Sequence, residues 1–366
     1  MFWLRRSVSS CLVILLCLTA HAAEQPLPVT RVKLASVIGN LSSDEYSSIE
    51  FLTDGLLLIS HGGGRPRSTL YDTQADKVLR TGATCGTAAR SVHATFEGNL
   101  LAVCANELVL YDQQFNPISR FEIRGAYDLL LSPTRQFVAV NPLPRRGPAR
   151  VLTTANFTEI ANFPSDSGYV IAVFGGGYLV YESTKDKEGW ELLFQGFHES
   201  HPQSIAKSNQ NCAQVGFGIS ETEFLKLACG KDGARNIDLA TGNVKMAFPD
   251  TSSADFAQSA FSGNRFALGS LDNSKMHAVK QWINPLTYIE ALGTCCDDYG
   301  NLRNVWVFDQ RSGRLLTELH WKTSKRDSVR DPYDATAVTL SPSGQYLAIL
   351  RGMDIEIYQI PNASTK

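Results

Sequence analysis

The stretch Val338-Thr339-Leu340-Ser341-Pro342-Ser343-Gly344-Gln345-Tyr346-Leu347-Ala348-Ile349-Leu350, with Ile355-Glu356-Ile357-Tyr358 after it, decides the fold of this chain. Apolar side chains alternate on either side of Ser341 to Gly344, the period of two that marks a half-buried strand, and Ser, Pro and Gly are turn residues. The order is strand, tight turn, strand, strand. Ile49 to Ile59 around Asp54-Gly55, followed by Leu70-Tyr71-Asp72, repeats it. So do Val92 to Cys104 around Glu97-Gly98-Asn99, and Val170 to Tyr181 around Gly175-Gly176-Gly177. Leu129-Leu130-Leu131-Ser132-Pro133 repeats the Ser-Pro turn itself. In several copies an apolar strand closes on Asp and a turn bearing Gly, as in Ile237-Asp238-Leu239-Ala240-Thr241-Gly242 and Phe308-Asp309-Gln310-Arg311-Ser312-Gly313.

Self-similarity at a fixed period means a repeat architecture, and a four-stranded unit returning about every 49 residues is the blade of a β-propeller. The expected fold is all-β: a seven-bladed β-propeller of four-stranded antiparallel blades, formed as a single domain by residues 23–366. The blades, each with strands A to D, fall at about 46–81, 89–123, 125–162, 167–208, 212–248, 254–320 and 334–360. The last repeat supplies three strands, whereas Val29 to Ile38 is alternating and apolar and stands alone before blade 1. This segment is expected to become the outer strand of blade 7, so that the two ends close the ring and leave no open edge to the array. Blade 6 carries an insertion, residues 271–303; eight blades is the alternative if the insertion forms its own sheet.

Residues 1–22 have the order of a secretory signal peptide: basic Arg5-Arg6, apolar Cys11 to Ala20, and Ala20-His21-Ala22 as a small-residue cleavage site. The mature chain is expected to begin at Ala23 and to be exported to the periplasm or the extracellular space. The apolar run is about half of the roughly 20 residues that a membrane helix needs, and no later segment is long enough, so no transmembrane segment is expected after signal removal. Ser7-Val8-Ser9 does not continue a twin-arginine signal, and Leu15-Leu16 before Cys17 is not a lipoprotein box. Losing residues 1–22 removes two arginines and no acid, which takes the formal charge from −2 to −4 and speaks against nucleic acid as a partner. Six cysteines remain for an oxidising compartment. Cys85 with Cys104 and Cys212 with Cys229 stand out as local pairs of similar spacing, while the adjacent Cys295 and Cys296 bond either to each other, under strain, or to other chains.

The Ser-Pro-x-Gly turn of Leu340 to Ile349, and the Asp-closed strand of Val305 to Gly313, resemble the WD40-like and YVTN-type seven-bladed propeller superfamily, and the resemblance covers essentially the whole mature chain. Tyr71-Asp72, Tyr111-Asp112, Ile237-Asp238 and Phe308-Asp309 stand in the slot of the family's Trp-Asp pair, and no Gly-His pair precedes a blade. The resemblance implies the fold and the binding of partners. It carries over no catalytic residue.

Loop lengths distinguish the two faces of the expected disc. A-to-B turns are minimal and C-to-D turns nearly so, while the long connections are all B-to-C or D-to-A, which emerge together on the other face. Long loops on a rigid scaffold are where binding usually resides. Three of them are basic and are candidates for an anionic ligand: Arg65 with Arg67, Arg145 with Arg146, and the segment holding Lys322, Lys325, Arg326 and Arg330. The insertion carries Trp282 and Tyr288 on an apolar surface and reads as a lid, as a docking hairpin for a partner, or as packing on its own blade. Asp297, Asp298 and Asn301 lack the spacing of an EF-hand loop.

Catalytic signals are thin, and no catalytic residue, metal site or cofactor is assigned. His61-Gly62-Gly63-Gly64 lacks the Gly-x-Ser-x-Gly nucleophile elbow that would give it meaning. His198-Glu199-Ser200-His201 is not His-Glu-x-x-His. The expected function is therefore an exported propeller that binds a protein, a glycan or a small anionic ligand through its loop-rich face. The alternatives are a propeller enzyme, lactonase-like or resembling the quinoprotein amine dehydrogenase subunit, and a structural subunit of an envelope assembly.

Overall fold

The structure, a computed structural model, describes residues 26–33, 36–37, 47–61, 67–85, 92–104, 106–123, 126–143, 148–163, 168–183, 189–208, 216–226, 234–248, 256–271, 302–320, 336–351 and 354–362. Among the described residues, twenty-eight strands form seven sheets of four, each sheet antiparallel and ordered A-B-C-D. Blade 1 starts with strand A at Ser47–Thr53, blade 2 at Val92–Ala94, blade 3 at Ala126–Leu131 and blade 4 at Gly168–Phe174. Blade 5 starts at Gly216–Ser220, blade 6 at Phe256–Ser262 and blade 7 at Thr336–Leu340. The A strands of neighbouring blades pack on one another, which places them around the axis and the D strands at the rim.

The ring closes with the N-terminal strand, as the sequence leads one to expect. Thr30–Lys33 pairs antiparallel with the last strand, Asp354–Gln359, in the register Thr30 to Ile357 and Lys33 to Asp354. The strand is shorter than the alternating stretch Val29 to Ile38. Its one buried residue, Val32, joins Ile355, Ile357, Ala348 and Leu350 against Ile49, Phe51 and Tyr71 of blade 1.

The core is not one mass. Alternation sends every second side chain of a blade toward each neighbour, and the described residues form seven apolar clusters, one for each of the seven contacts between adjacent blades. The seventh, between blades 7 and 1, exists only because the ring is shut. Burying a single large apolar side chain contributes about 1.5–3 kcal/mol, so each interface is stabilised independently of the channel, whose residues are free to differ.

The Asp that closes strand C is a turn cap. Asp72 Oδ1 accepts from the amides of Gln74 and Ala75 at 2.9 and 2.8 Å, Asp112 Oδ1 from Gln114 and Asn116 at 2.8 Å each, and Asp309 Oδ1 from Ser312 at 2.8 Å. Asp238 Oδ1 takes the Thr241 amide, and Lys245, which bonds to it, together with that capping holds its carboxyl down at about 2. Asp76, Phe115, Gly242 and Gly313, all at positive φ, complete these turns, and Phe157 does the same in the turn after Thr153 of blade 3. The Asp of each Tyr-Asp, Ile-Asp and Phe-Asp pair thus caps the turn that follows its strand.

One disulfide is present among the described residues, Cys85 to Cys104, with Cα atoms 5.2 Å apart. It ties the end of strand D in blade 1 to the end of strand B in blade 2. Cys212, Cys229, Cys295 and Cys296 lie outside the described residues.

Candidate binding site

The Ser-Pro turns show how sequence shapes the channel mouth. In blade 7, Ser341 Oγ accepts from the Tyr346 amide at 3.1 Å, and the Gly344 amide donates back to the Ser341 carbonyl at 2.7 Å, with Gly344 at φ +72°. In blade 3, Ser132 Oγ accepts from the Phe137 amide at 3.1 Å and the Arg135 amide donates to the Ser132 carbonyl at 2.8 Å. Blade 2 repeats the loop with Thr95 to Gly98, whose Gly98 has φ +76°. Pro342, Pro133 and Phe96 therefore occupy one equivalent position on three turns.

These turns converge. A cavity of about 440 Å³ opens at the channel mouth on the short-turn face and is lined from the A-to-B turns of six blades. Its apolar wall includes Leu52, Phe96, Pro133, Ile219, Phe261 and Pro342; its polar groups include Thr95, Thr134, Arg135, Ser220 and Glu221. Phe96 is 64% exposed, whereas the turn phenylalanines Phe115 and Phe157 are buried.

A charged cluster stands behind this wall. Glu50 on strand A of blade 1 pairs with Arg135 through one carboxylate oxygen and meets His93 Nδ1 of blade 2 at 3.1 Å through the other. Burial works against a charge on Glu50, but Arg135, followed by the hydrogen bond and charge of His93, outweighs it and holds the carboxyl below its usual range. Three consecutive blades are thereby linked at the channel. Arg135 reaches Glu50 from a backbone at φ +61°, the position its sister turns give to glycine. A left-handed L-residue costs roughly 1–2 kcal/mol, so the turn holds an arginine against local preference.

Other ties run across the mouth. Glu221 of blade 5 accepts from the Thr134 amide of blade 3 at 2.9 Å and from the Gly175 amide of blade 4. Asp54 accepts from the Ser343 amide at 3.0 Å, and Arg265 donates to the Gly344 carbonyl at 2.7 Å. The Gly175 to Gly177 turn serves packing: a Cβ on Gly177 would lie 2.3 Å from the Gln195 carbonyl oxygen.

Of the residues singled out from sequence, Arg67 is exposed at the start of strand C in blade 1 and lines no part of this cavity. Arg65, Arg145, Arg146, Trp282, Tyr288, Arg326 and Arg330, with the Asp297-Asp298-Asn301 group, lie outside the described residues. His198 and His201 are exposed beyond strand C of blade 4, and among the described residues no group of three His, Cys, Asp or Glu side chains is placed to hold a metal. Among the same residues no helix is long and apolar enough to cross a membrane. Sequence reasoning missed Glu50, His93, Phe96, Arg135 and Glu221. One signal was available: Arg135 replaces the glycine of an otherwise matching Ser-Pro-x-Gly turn.

No protein-family model matches the sequence, and no curated protein matches it. Among solved structures, the β-propeller domain of Cps50 (Swd1) from Myceliophteria thermophila is similar at 13% identity and a TM-score of 0.57, over 91% of this chain and 100% of that one. The likeness is one of fold. In all, 1325 solved chains match, so the shape selects no ligand.

Proposed function

We propose that the protein is an exported interaction module, periplasmic or extracellular, that docks a protein partner at the mouth of its central channel on the short-turn face. The carrying observation is the cavity at that mouth, apolar over much of its wall and edged by the exposed Phe96. Large exposed rings next to a concave apolar surface are what a partner covers. The turns around it are cross-tied by Glu221, Asp54 and Arg265, so the surface is preformed and little ordering cost falls on binding. The Cys85–Cys104 bond fits an oxidising compartment.

A photo-crosslinking amino acid placed at Phe96, and separately at Arg67, exposed at the start of strand C of blade 1 on the opposite face, tests the reading in the native host. Partner adducts from position 96 and none from position 67 are expected. Adducts from position 67 alone would move docking to that face, and adducts from neither would remove the interaction role.

A further inference from the structure

The charges at the channel mouth are unevenly spent. Asp54, Glu97 and Glu221 stand on the A-to-B turns of blades 1, 2 and 5, and among the described residues none of them is in a salt bridge. Asp54 and Glu221 are satisfied by backbone amides, and Glu97 by the Asn99 side chain at 3.5 Å. A carboxylate oxygen that has taken one amide keeps a lone pair for a further donor. Of the arginines on the same rim, Arg135 is paired with Glu50, and Arg265 keeps its charge while donating to the Gly344 carbonyl and to Asn362 Oδ1 at 3.3 Å, so the three carboxylates outnumber it. Glu97 lies between Phe96 and Gly98, both of which line the cavity, and Glu221 lines it directly. Unspent negative charge thus sits on the edge of an apolar hollow.

From this we infer that the partner presents a basic segment, a bulky apolar side chain flanked by Lys or Arg. The inference rests on the channel mouth being the docking site. The apolar group enters beside Phe96 and Phe261, and the flanking cations meet Glu97, Glu221 and Asp54 on the rim. About 440 Å³ falls within the ~300–1,000 Å³ of pockets that enclose small ligands, which suits a side chain better than the edge of a folded domain. An acidic segment would meet three carboxylates against one arginine, Arg265, that is in no salt bridge among the described residues, and complementary potential is what selects among partners of similar shape.

Selection of a random 12-residue peptide library on the immobilised mature protein tests both levels. The expected result is enrichment of peptides that pair Lys or Arg with a large apolar residue. Their binding should fall about tenfold in Glu97→Lys and at least as much in Phe96→Ser, and weaken between 50 and 500 mM NaCl as exposed ion pairs are screened. Both substitutions are at exposed positions, and unchanged thermal unfolding would verify that each variant is folded. Enriched peptides that are neutral or acidic yet lose binding in Phe96→Ser would overturn the basic partner while leaving the docking site in place. Peptides indifferent to Phe96→Ser, or no enrichment at all, would overturn the site and the partner chemistry together.

Discussion

The turns Ser132 to Phe137 in blade 3 and Ser341 to Tyr346 in blade 7 have the same length and the same hydrogen bonds, and they differ where it matters. Blade 7 puts Gly344 at its left-handed position and gains a turn without strain. Blade 3 puts Arg135 there, and the guanidinium neutralises Glu50 two blades away. A turn built for economy and a turn built for a cross-ring contact share one scaffold. Strain of about 1–2 kcal/mol is tolerable where it prevents a carboxylate from being enclosed without a cation.

The largest effect that would break this comparison is on Arg135→Ala, which keeps the strained backbone and strips Glu50 of its cation. A loss of about 2 kcal/mol in chemical denaturation is expected. Gly344→Ala should lose about 1–2 kcal/mol, because Ala is strained at positive φ and its Cβ would lie 2.9 Å from Arg265 Cδ. Arg135→Gly sharpens the contrast. It loses the same cation but relaxes the turn, so it should be about 1 kcal/mol more stable than Arg135→Ala, and equal stabilities would mean that the turn holds no strain.

Acid titration separates the charge from the turn. Glu50 has its carboxyl depressed in the folded state, so its contribution is complete above about pH 4.5, its ordinary value, and fades as pH falls through the lower folded value. In Arg135→Ala the burial that opposes charge on Glu50 is no longer outweighed by the arginine. The difference in stability between wild type and this variant should therefore shrink on acidification below pH 4.5. A constant difference down to pH 3 would show that Glu50 is not the group Arg135 serves. The smallest stability effect is expected for Phe96→Ser, within about 0.5 kcal/mol of wild type, since the ring is mostly in water; its consequence should be confined to binding.

Much of the fold was legible because its causes are local. Alternation named the strands, Ser-Pro and Asp-to-Gly spacings named the turns, and an unpartnered strand near one end with a three-stranded repeat near the other named the closure. The local spacing of Cys85 and Cys104 pointed to the disulfide, and only the structure showed that it joins blades 1 and 2 rather than lying within the second repeat. The candidate site was not legible in the same way. Loop length drew attention to the long connections, whereas the described cavity is made of the shortest turns, whose composition looks like punctuation. Phe96 reads as one apolar residue in a turn, and Glu221 as one acid in another.

The sequence by itself determined the period, the seven blades, the order of strands and the way the ring shuts, because each follows from contacts within a repeat or between successive repeats. Only the tertiary structure decided what meets at the axis. His93 is 43 residues from Glu50, and Thr134 is 87 residues from Glu221, yet each pair is in contact. A closed ring turns every repeat toward one centre, and the side chains that gather there are neighbours by radius, a relation that no local periodicity encodes.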